Sequence, residues 1–297
     1  MVMRNIQFMK HYKLWFAVSG AVILIGIVMM LFNGLNLGID FTGGTMIQVE
    51  LHQEVSVADI TDLLSEYNLN PDIVHSGEAK TGVIIKTKVS LDNAERTQIF
   101  NTINSKYPVT SSDFSADQFG PNMGEEIRNR AITAVLIASV FMLIYISIRF
   151  ESMFGIAAII CLVHDVLFVI SIYAITGKSV NSSFIAAILT IVGYSINDTI
   201  VVFDRVRENI KREKTRDYMA LVDVSANQTL TRTLNTSLTT LLVIAALFVF
   251  GSESIKDFAF PLLVGVAVGT YSSIFIASPV WALTRSKFGK KGAYAAK

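Results

Sequence analysis

Long apolar runs dominate the chain, and shorter polar or charged stretches separate them. Six of these runs have about the 20 residues that a helix needs to cross roughly 30 Å of hydrocarbon. They cover 14–32, 129–148, 153–176, 183–204, 229–250 and 258–283. The pattern predicts an α-helical integral membrane protein with six transmembrane helices in a lipid bilayer.

The stretch between the first and second runs has a different pattern. Segments 45–51, 72–77, 82–89 and 109–114 resemble strands, whereas 56–67 and 91–107 have helical spacing, the first of them behind Ser56 as N-cap. The order β-α-β-β-α-β predicts a small α+β domain of the ferredoxin-like type. The predicted divisions are the N-terminus and first helix over 1–32, this domain over 33–125, a five-helix bundle over 126–283 and a basic tail over 284–297.

Basic residues concentrate on one side of the predicted helices. The loops after runs two and four and the C-terminal tail contain Arg149, Arg205, Arg207, Lys211, Arg212, Lys214, Arg216, Arg285, Lys287, Lys290 and Lys291. The short loops on the other side contain Lys178 and Lys256. The positive-inside rule therefore places both termini in the cytoplasm and residues 33–125 outside it. The first run exceeds a signal-peptide core, so we expect an uncleaved anchor.

Composition supports the membrane class and argues against several other kinds of site. Of the 297 residues, 52% are hydrophobic and 16% charged, against about 25% charged in soluble domains. The single cysteine, Cys161, excludes a disulfide framework, and the four histidines lack metal-ligand spacing. Neither a P-loop nor a G-x-G-x-x-G motif occurs. We expect no metal, cofactor, nucleic-acid partner or enzymatic activity.

A carboxylate, Asp198, interrupts the fourth apolar run. A charge there costs about 2.5–3.5 kcal/mol even on insertion scales, so the group must be neutral, paired or wetted. Each of these states is typical of proton or ion handling. Asn197 and Thr199 flank the carboxylate.

The fifth run contains a second intramembrane charge, Arg232. A short connection makes runs four and five antiparallel, so we expect Arg232 and Asp198 at similar depth. Helical spacing places Arg232 on one face with Asn235, Thr236 and Thr239. An approaching guanidinium would favour the ionised carboxylate, and its withdrawal would favour proton capture. A static ion pair, or an Arg232 that only reaches the membrane interface, is the alternative.

The third run contains His164 and Asp165 next to each other. Asp165 is a candidate second relay carboxylate, because a histidine titrates near neutral pH. A buried hydrogen bond that holds helices together is the competing interpretation.

Small residues recur every four positions in the sixth run, at Gly265, Gly269, Ser273 and Ala277. Such a stripe allows helices to approach closely. The sequence leaves open whether the neighbouring helix belongs to this chain or to another subunit.

Three motifs resemble those of the SecF family of the bacterial SecDF complex, in the resistance-nodulation-division superfamily. They are the turn GIDFTGGT at 38–45, VHD at 163–165 and VGYSINDTIVVFDRVREN at 192–209. Together with the six predicted helices, the resemblance covers nearly the whole chain. It implies a signature turn made by Gly38, Asp40, Gly43 and Gly44. It also implies that Asp198 and Arg232 match the proton-pathway residues of the family, with Asn197 beside them and Thr236 as an accessory.

The resemblance also implies partners and a location. These are SecD, which would contribute six more helices and a further aspartate, and the SecYEG channel, with SecA acting upstream. The substrate would be an unfolded preprotein, moved across the bacterial cytoplasmic membrane by the proton-motive force. The alternatives are half of a small-molecule or lipid exporter of the same superfamily, with an apolar pocket in or under the outer domain, and a scaffold that transports nothing. Coupling to sodium instead of protons also stays open.

Overall fold

A computed structural model describes residues 6–77, 79–149, 151–213 and 217–288. The elements, in chain order, are α1 (Tyr12–Asn33), α2 (Ile39–Thr42), β1 (Gly44–Glu50), α3 (Val57–Leu63), β2 (Asp72–Ser76), β3 (Gly82–Thr87), α4 (Asn93–Lys106), β4 (Phe114–Phe119), α5 (Pro121–Arg149), α6 (Ser152–Thr176), α7 (Ser182–Glu213), α8 (Tyr218–Phe250), α9 (Glu253–Ser272), a π-helical turn (Ser273–Ala277) and α10 (Ser278–Phe288). Lys214, Arg216, Lys290, Lys291 and most of the predicted tail lie outside the described residues.

Six helices of the described chain are long and apolar enough to cross a membrane, which confirms the predicted number. They are α1, α5, α6, α7, α8 and the continuous stretch from α9 to α10. Several extend beyond the predicted runs, and α7 continues to Glu213. There Arg205 and Arg212 pair with Glu208 at i,i+3 and i,i+4 spacing. Such pairs support a helix outside hydrocarbon, so the apolar pattern underestimates its length.

The small-residue stripe packs within this chain. Gly265 and Gly269 are both buried, and α9 lies there against α7. A Cβ atom on Gly265 would overlap the side chain of Ile191, and one on Gly269 would lie 3.1 Å from Ser195 Cβ. The two glycines therefore set how closely α7 and α9 approach, which answers the question that the sequence leaves open.

A π-helical turn at Ser273–Ala277 joins α9 to α10 inside the sixth span. A π turn holds one residue more than an α turn and interrupts the i→i−4 hydrogen bonds. The Ser278 hydroxyl donates to the carbonyl of Ser273 at 2.8 Å. Beyond the turn, Trp281 stacks on Phe154 of α6 with ring centroids 4.7 Å apart.

The domain between α1 and α5 has the predicted ferredoxin-like topology. Its four strands are antiparallel in the order β2-β3-β1-β4. Ser56 caps α3 and Asp92 forms a capping box with Glu95 on α4, as such residues do at helix starts. Strand and helix side chains share a core that is 0% exposed: Ile47, Val49, Ile60, Val83, Ile85, Ile99 and Ile103.

The predicted last strand at 109–114 is wrong, because β4 begins only at Phe114. Thr110 and Asp113 close a tight turn in which Thr110 N donates to Asp113 Oδ2 at 2.8 Å. The hydroxyl and amide of Thr110 hold the pKa of the Asp113 carboxyl below its usual value, so the ionised form stabilises the turn. Pairing with β1 defines the strand: Gly44 lies opposite Phe119 and Val49 opposite Phe114.

We expect Gly265→Ala to lower the stability of the bundle by about 1–3 kcal/mol, because an added methyl group overpacks the contact with Ile191. Thermal unfolding of the purified full chain measures this loss. Gly20→Ala is the matched control, since nothing lies within 4 Å of a Cβ atom there. Ile191→Ala should partly rescue Gly265→Ala in a double-mutant cycle. Equal unfolding temperatures for the two glycine variants would contradict the proposed tight contact.

Candidate functional site

Asp198 lies on α7, inside the bundle, and its side chain is 2% exposed. Its Oδ2 atom lies 3.2 Å from the hydroxyl of Ser237 on α8 and 3.4 Å from that of Thr270 on α9. In the part of the chain that the structure describes, no Lys, Arg or His forms a salt bridge with it. Asp198 is therefore a carboxyl group held between three membrane helices by hydroxyl groups, without a counter-ion among the described residues.

Arg232 does not meet Asp198, contrary to the expected juxtaposition. The arginine is exposed, whereas the face of α8 turned inward is formed by Thr229, Thr233 and Ser237. At 100° per residue, Arg232 and Ser237 point about 140° apart around the helix axis. The first half of α8 is polar on both sides, so the sequence could not indicate which side faces α7.

The predicted grouping on α8 is nevertheless correct. Arg232, Asn235, Thr236 and Thr239 are all exposed and form one strip along the helix. The hydroxyl of Thr236 donates to the carbonyl of Arg232 at 3.0 Å. Asn197, next to Asp198 on α7, is also exposed. The structure thus brings the strip together but separates it from the buried carboxyl group.

A second buried carboxyl group, Asp165, lies on α6 and is 1% exposed. His164 Nδ1 lies 2.9 Å from its Oδ1 atom, and Ser272 of α9 donates to Oδ2 at 2.8 Å. Ser195 of α7 also donates to Oδ2. The expected hydrogen bond between helices is therefore present, and it joins three of them.

Sequence reasoning missed three of these partners, Ser237, Thr270 and Ser272. Thr270 and Ser272 lie in a short polar stretch beside the small-residue stripe of the sixth run. Ser195 lies at i−3 from Asp198 on the same helix, but its hydroxyl donates to Asp165 instead. The only available signal was that a hydroxyl group in an apolar span tends to bond another helix.

The signature turn connects the α+β domain to α7. Gly43 and Gly44 have φ angles of 77° and 144°, which favour glycine. The amide of Gly38 donates to the carbonyl of Val180 at 2.8 Å. Asp40 Oδ2 accepts from the amide of Ser182, the first residue of α7, at 2.9 Å. A carboxylate at a helix N-terminus is favourable for the helix dipole.

A cleft of about 790 Å³ lies where the domain meets the bundle. Its walls contain Lys86, Lys88, Lys178 and Lys256 together with Asp72 and Asp257. Lys86 pairs with Asp257 at 3.6 Å, from β3 to α9. The cleft has these charged residues beside apolar ones such as Phe248 and Phe260, so it is not the apolar ligand pocket that the exporter alternative predicts.

Comparisons with known proteins fit this architecture. The family model described as "Protein export membrane protein SecD/SecF, C-terminal" matches residues 99–287, and the "SecD/SecF GG Motif" matches residues 28–55. The second match contains the signature turn, including both of its adjacent glycines.

Individual relatives show how much of each protein is shared. Protein translocase subunit SecF of Acidaminococcus fermentans is 37% identical over 96% of this chain and 99% of that protein. Protein translocase subunit SecDF of Bacillus subtilis is 40% identical over 96% of this chain but only 39% of that protein. The crystal structure of SecDF, a translocon-associated membrane protein from Thermus thermophilus, superposes with a TM-score of 0.82 at 36% identity, over 94% of this chain and 38% of that one.

We expect Asp40→Ala to destabilise the start of α7 by about 0.5–2 kcal/mol, because the amide of Ser182 loses its acceptor. Asp40→Asn keeps an acceptor and should cost less. The unfolding temperature of the full chain measures both effects. Asp117→Ala, an exposed carboxylate on β4, is the control and should change little. If Asp40→Ala and Asp117→Ala unfold at the same temperature, the link from Asp40 to α7 does not contribute to stability.

Proposed function

The chain belongs to the SecF family, and from that premise we propose that it acts with SecD in a proton-driven motor for protein export. The motor would move unfolded preproteins through the SecYEG channel, across the bacterial cytoplasmic membrane, after the ATP-dependent step of SecA. The observation that carries the proposal is Asp198, a carboxyl group buried among membrane helices without a counter-ion in the described chain. Because burying an ionisable group in a membrane is costly, we infer that Asp198 is present for a function that needs its ionisation.

We propose that a proton neutralises Asp198 in this conformation. An isolated carboxylate in a medium of low dielectric constant is much less stable than the neutral acid. The hydroxyls of Ser237 and Thr270 lie more than 3 Å away, which is longer than hydrogen bonds to an ionised oxygen usually are. Loss of the proton would require water or a cation to reach the site. Alternating access of this kind couples proton flow to helix movement, and each charge that crosses 100 mV supplies about 2.3 kcal/mol.

The polar strip of Arg232, Asn235, Thr236 and Thr239 supports a partner in the membrane. Polar side chains rarely face lipid, since each unsatisfied group is costly in hydrocarbon. The SecDF relative from Bacillus subtilis extends well beyond the region it shares with this chain. We propose that SecD covers the strip and that Arg232 acts in the relay through a group of SecD, or after a rearrangement of α8.

The basic loops support an orientation with both termini in the cytoplasm and the α+β domain outside. The domain would then meet preproteins as they emerge, and Asp40 would connect it to the helix that holds Asp198. The charged cleft below the domain lends no support to the exporter alternative.

We expect Asp198→Asn to abolish gradient-dependent export, since an amide cannot exchange a proton at this site. Preprotein transport by inverted vesicles that contain SecD, SecYEG and SecA measures this, with pH and sodium gradients imposed separately. Asp204→Asn is the control on the same helix, where the carboxylate lies 3.7 Å from Arg149 and is 44% exposed. Wild-type export by Asp198→Asn would disprove the proton role, and a response to the sodium gradient alone would reassign the ion.

We expect the strip to be protected from lipid when SecD is present. A membrane-permeant maleimide should label Asn235→Cys readily in the chain alone and much more slowly in the complex. The parent chain gives the background, because its single cysteine, Cys161, is buried. Equal labelling with and without SecD would show that the partner lies elsewhere.

A further inference from the structure

The buried pair of His164 and Asp165, here called the His–Asp dyad, has no part in the function proposed so far. His164 is 9% exposed, and its Nδ1 atom lies 2.9 Å from Asp165. Its other ring nitrogen, Nε2, is buried and has no hydrogen-bond partner among the described residues. Buried polar atoms are nearly always satisfied, so an unpartnered one calls for an explanation, such as a bound water or ion.

The donors around Asp165 favour one form of the histidine. Oδ2 of Asp165 accepts from Ser195 and Ser272 over shorter distances than those at Asp198, which favours the ionised carboxylate, and we take its Oδ1 as an acceptor toward His164. In a neutral imidazole one nitrogen is a donor and the other an acceptor. With the Nδ1 proton directed at Asp165, the lone pair is on Nε2, the atom without a partner.

We propose that the His–Asp dyad is a second proton site, and that Ser195 and Ser272 couple it to Asp198. The inference rests on the proposed function and adds a site to it. A proton delivered by water binds the lone pair of Nε2, the Nδ1 proton stays in place, and the charge of the dyad changes from −1 to 0. No other bond in the protein is made or broken.

Among the described residues, no further side chain around the dyad carries a positive charge, so we assign its neutralisation to a proton. The ionisable groups that face it are Cys161 on the same helix, with Sγ 4.0 Å from Asp165, and Tyr271 on α9, with its ring 6.5 Å from that of His164. From α7 the nearest is Asp198, one turn beyond Ser195. None of these can supply a positive charge.

Charged residues on the other neighbouring helices lie at the membrane ends. On α10, Arg285 pairs with Glu151. Glu151 is the residue just before α6, and His164 follows it by 13 residues. At 1.5 Å per residue this is about 20 Å along the helix. On α5, Arg149 at the end of the helix pairs with Asp204. On α1, Lys13 is the second residue of the helix, and the residue that meets Tyr271 is the uncharged Ser19.

Two hydroxyl groups provide the coupling. Ser195 precedes Asp198 by three residues on α7, and Ser272 follows Thr270 by two residues on α9. The same pair of helices therefore holds Asp165 through Ser195 and Ser272, and Asp198 through Thr270. When His164 becomes a cation, its hydrogen bond to Asp165 strengthens and competes with those of the serines. α9 is then freer to move Thr270 relative to Asp198.

Histidine labelled with ¹⁵N tests the proton site directly, by solid-state NMR on the full chain in bilayers with SecD. The chain has four histidines, so His164→Gln identifies the signal. We expect a proton on Nδ1 only at high pH, and protons on both nitrogens at the lower pH of the energised outer side. A ring that stays neutral across the whole pH range of export would overturn the proposal. So would a ring that stays charged.

Export measurements test whether the site matters. His164→Gln retains an amide that can donate to Asp165 but cannot hold the proton. We expect it to lose about tenfold or more of gradient-driven export and to flatten its pH dependence. His52→Gln is the matched control, since His52 is 63% exposed in the α+β domain. A wild-type pH profile for His164→Gln would overturn the proposal.

The coupling is reciprocal, which gives a third measurement. Asp198→Asn should shift the pH at which His164 takes its proton, and Ser195→Ala should reduce that shift. If the pH at which His164 takes its proton is unchanged in Asp198→Asn, the coupling is overturned.

The result for Asp198→Asn export distinguishes the two proposals. If that variant is inactive while His164→Gln exports normally, only the proposal for the dyad fails. If Asp198→Asn exports normally, the proposed function fails as well.

Discussion

The close packing of α7 against α9 determines the polar interior of this membrane bundle. Hydrocarbon offers no hydrogen-bond partners, so a buried carboxyl group depends on donors from the helices around it. Gly265 and Gly269 remove the side chains that would keep the two helices apart. The serines and threonines on both helices can then reach Asp165 and Asp198. The small residues at this one helix contact thereby allow two carboxyl groups to be buried, although burial of each group in the membrane is energetically costly.

Much of the fold could be predicted because its signals are local. Each span is an uninterrupted apolar run, and the α+β domain has capping residues such as Ser56 and Asp92 at its helix starts. The last strand was misplaced because FSADQF has few large apolar residues, and only its pairing with β1 defines it. The tight turn at Thr110 and Asp113 gave no apolar signal of its own.

The candidate site could be predicted only in part, for a reason that is specific to membranes. Asp198, Asp165 and His164 are conspicuous in apolar runs, and all three are buried. In a soluble helix the apolar face indicates the inside, but in α8 hydrocarbon and protein core are both apolar. Arg232 could therefore not be assigned to the inner or outer face from its spacing. Thr270 and Ser272 gain importance only from the carboxyl groups they meet.

Because of the π-helical turn at Ser273–Ala277, the two halves of the sixth span, α9 and α10, are rotated relative to each other about the helix axis. One residue corresponds to about 100° of rotation on a helix. The additional residue in the turn therefore lets α9 direct Thr270 and Ser272 at the carboxyl groups while α10 directs Trp281 at Phe154. A span of the same hydrophobicity but one residue shorter in this turn would insert equally well into a bilayer. It could make only one of these two sets of contacts. The number of residues in this turn is therefore fixed by the direction in which the side chains must point, and not by the thickness of the membrane.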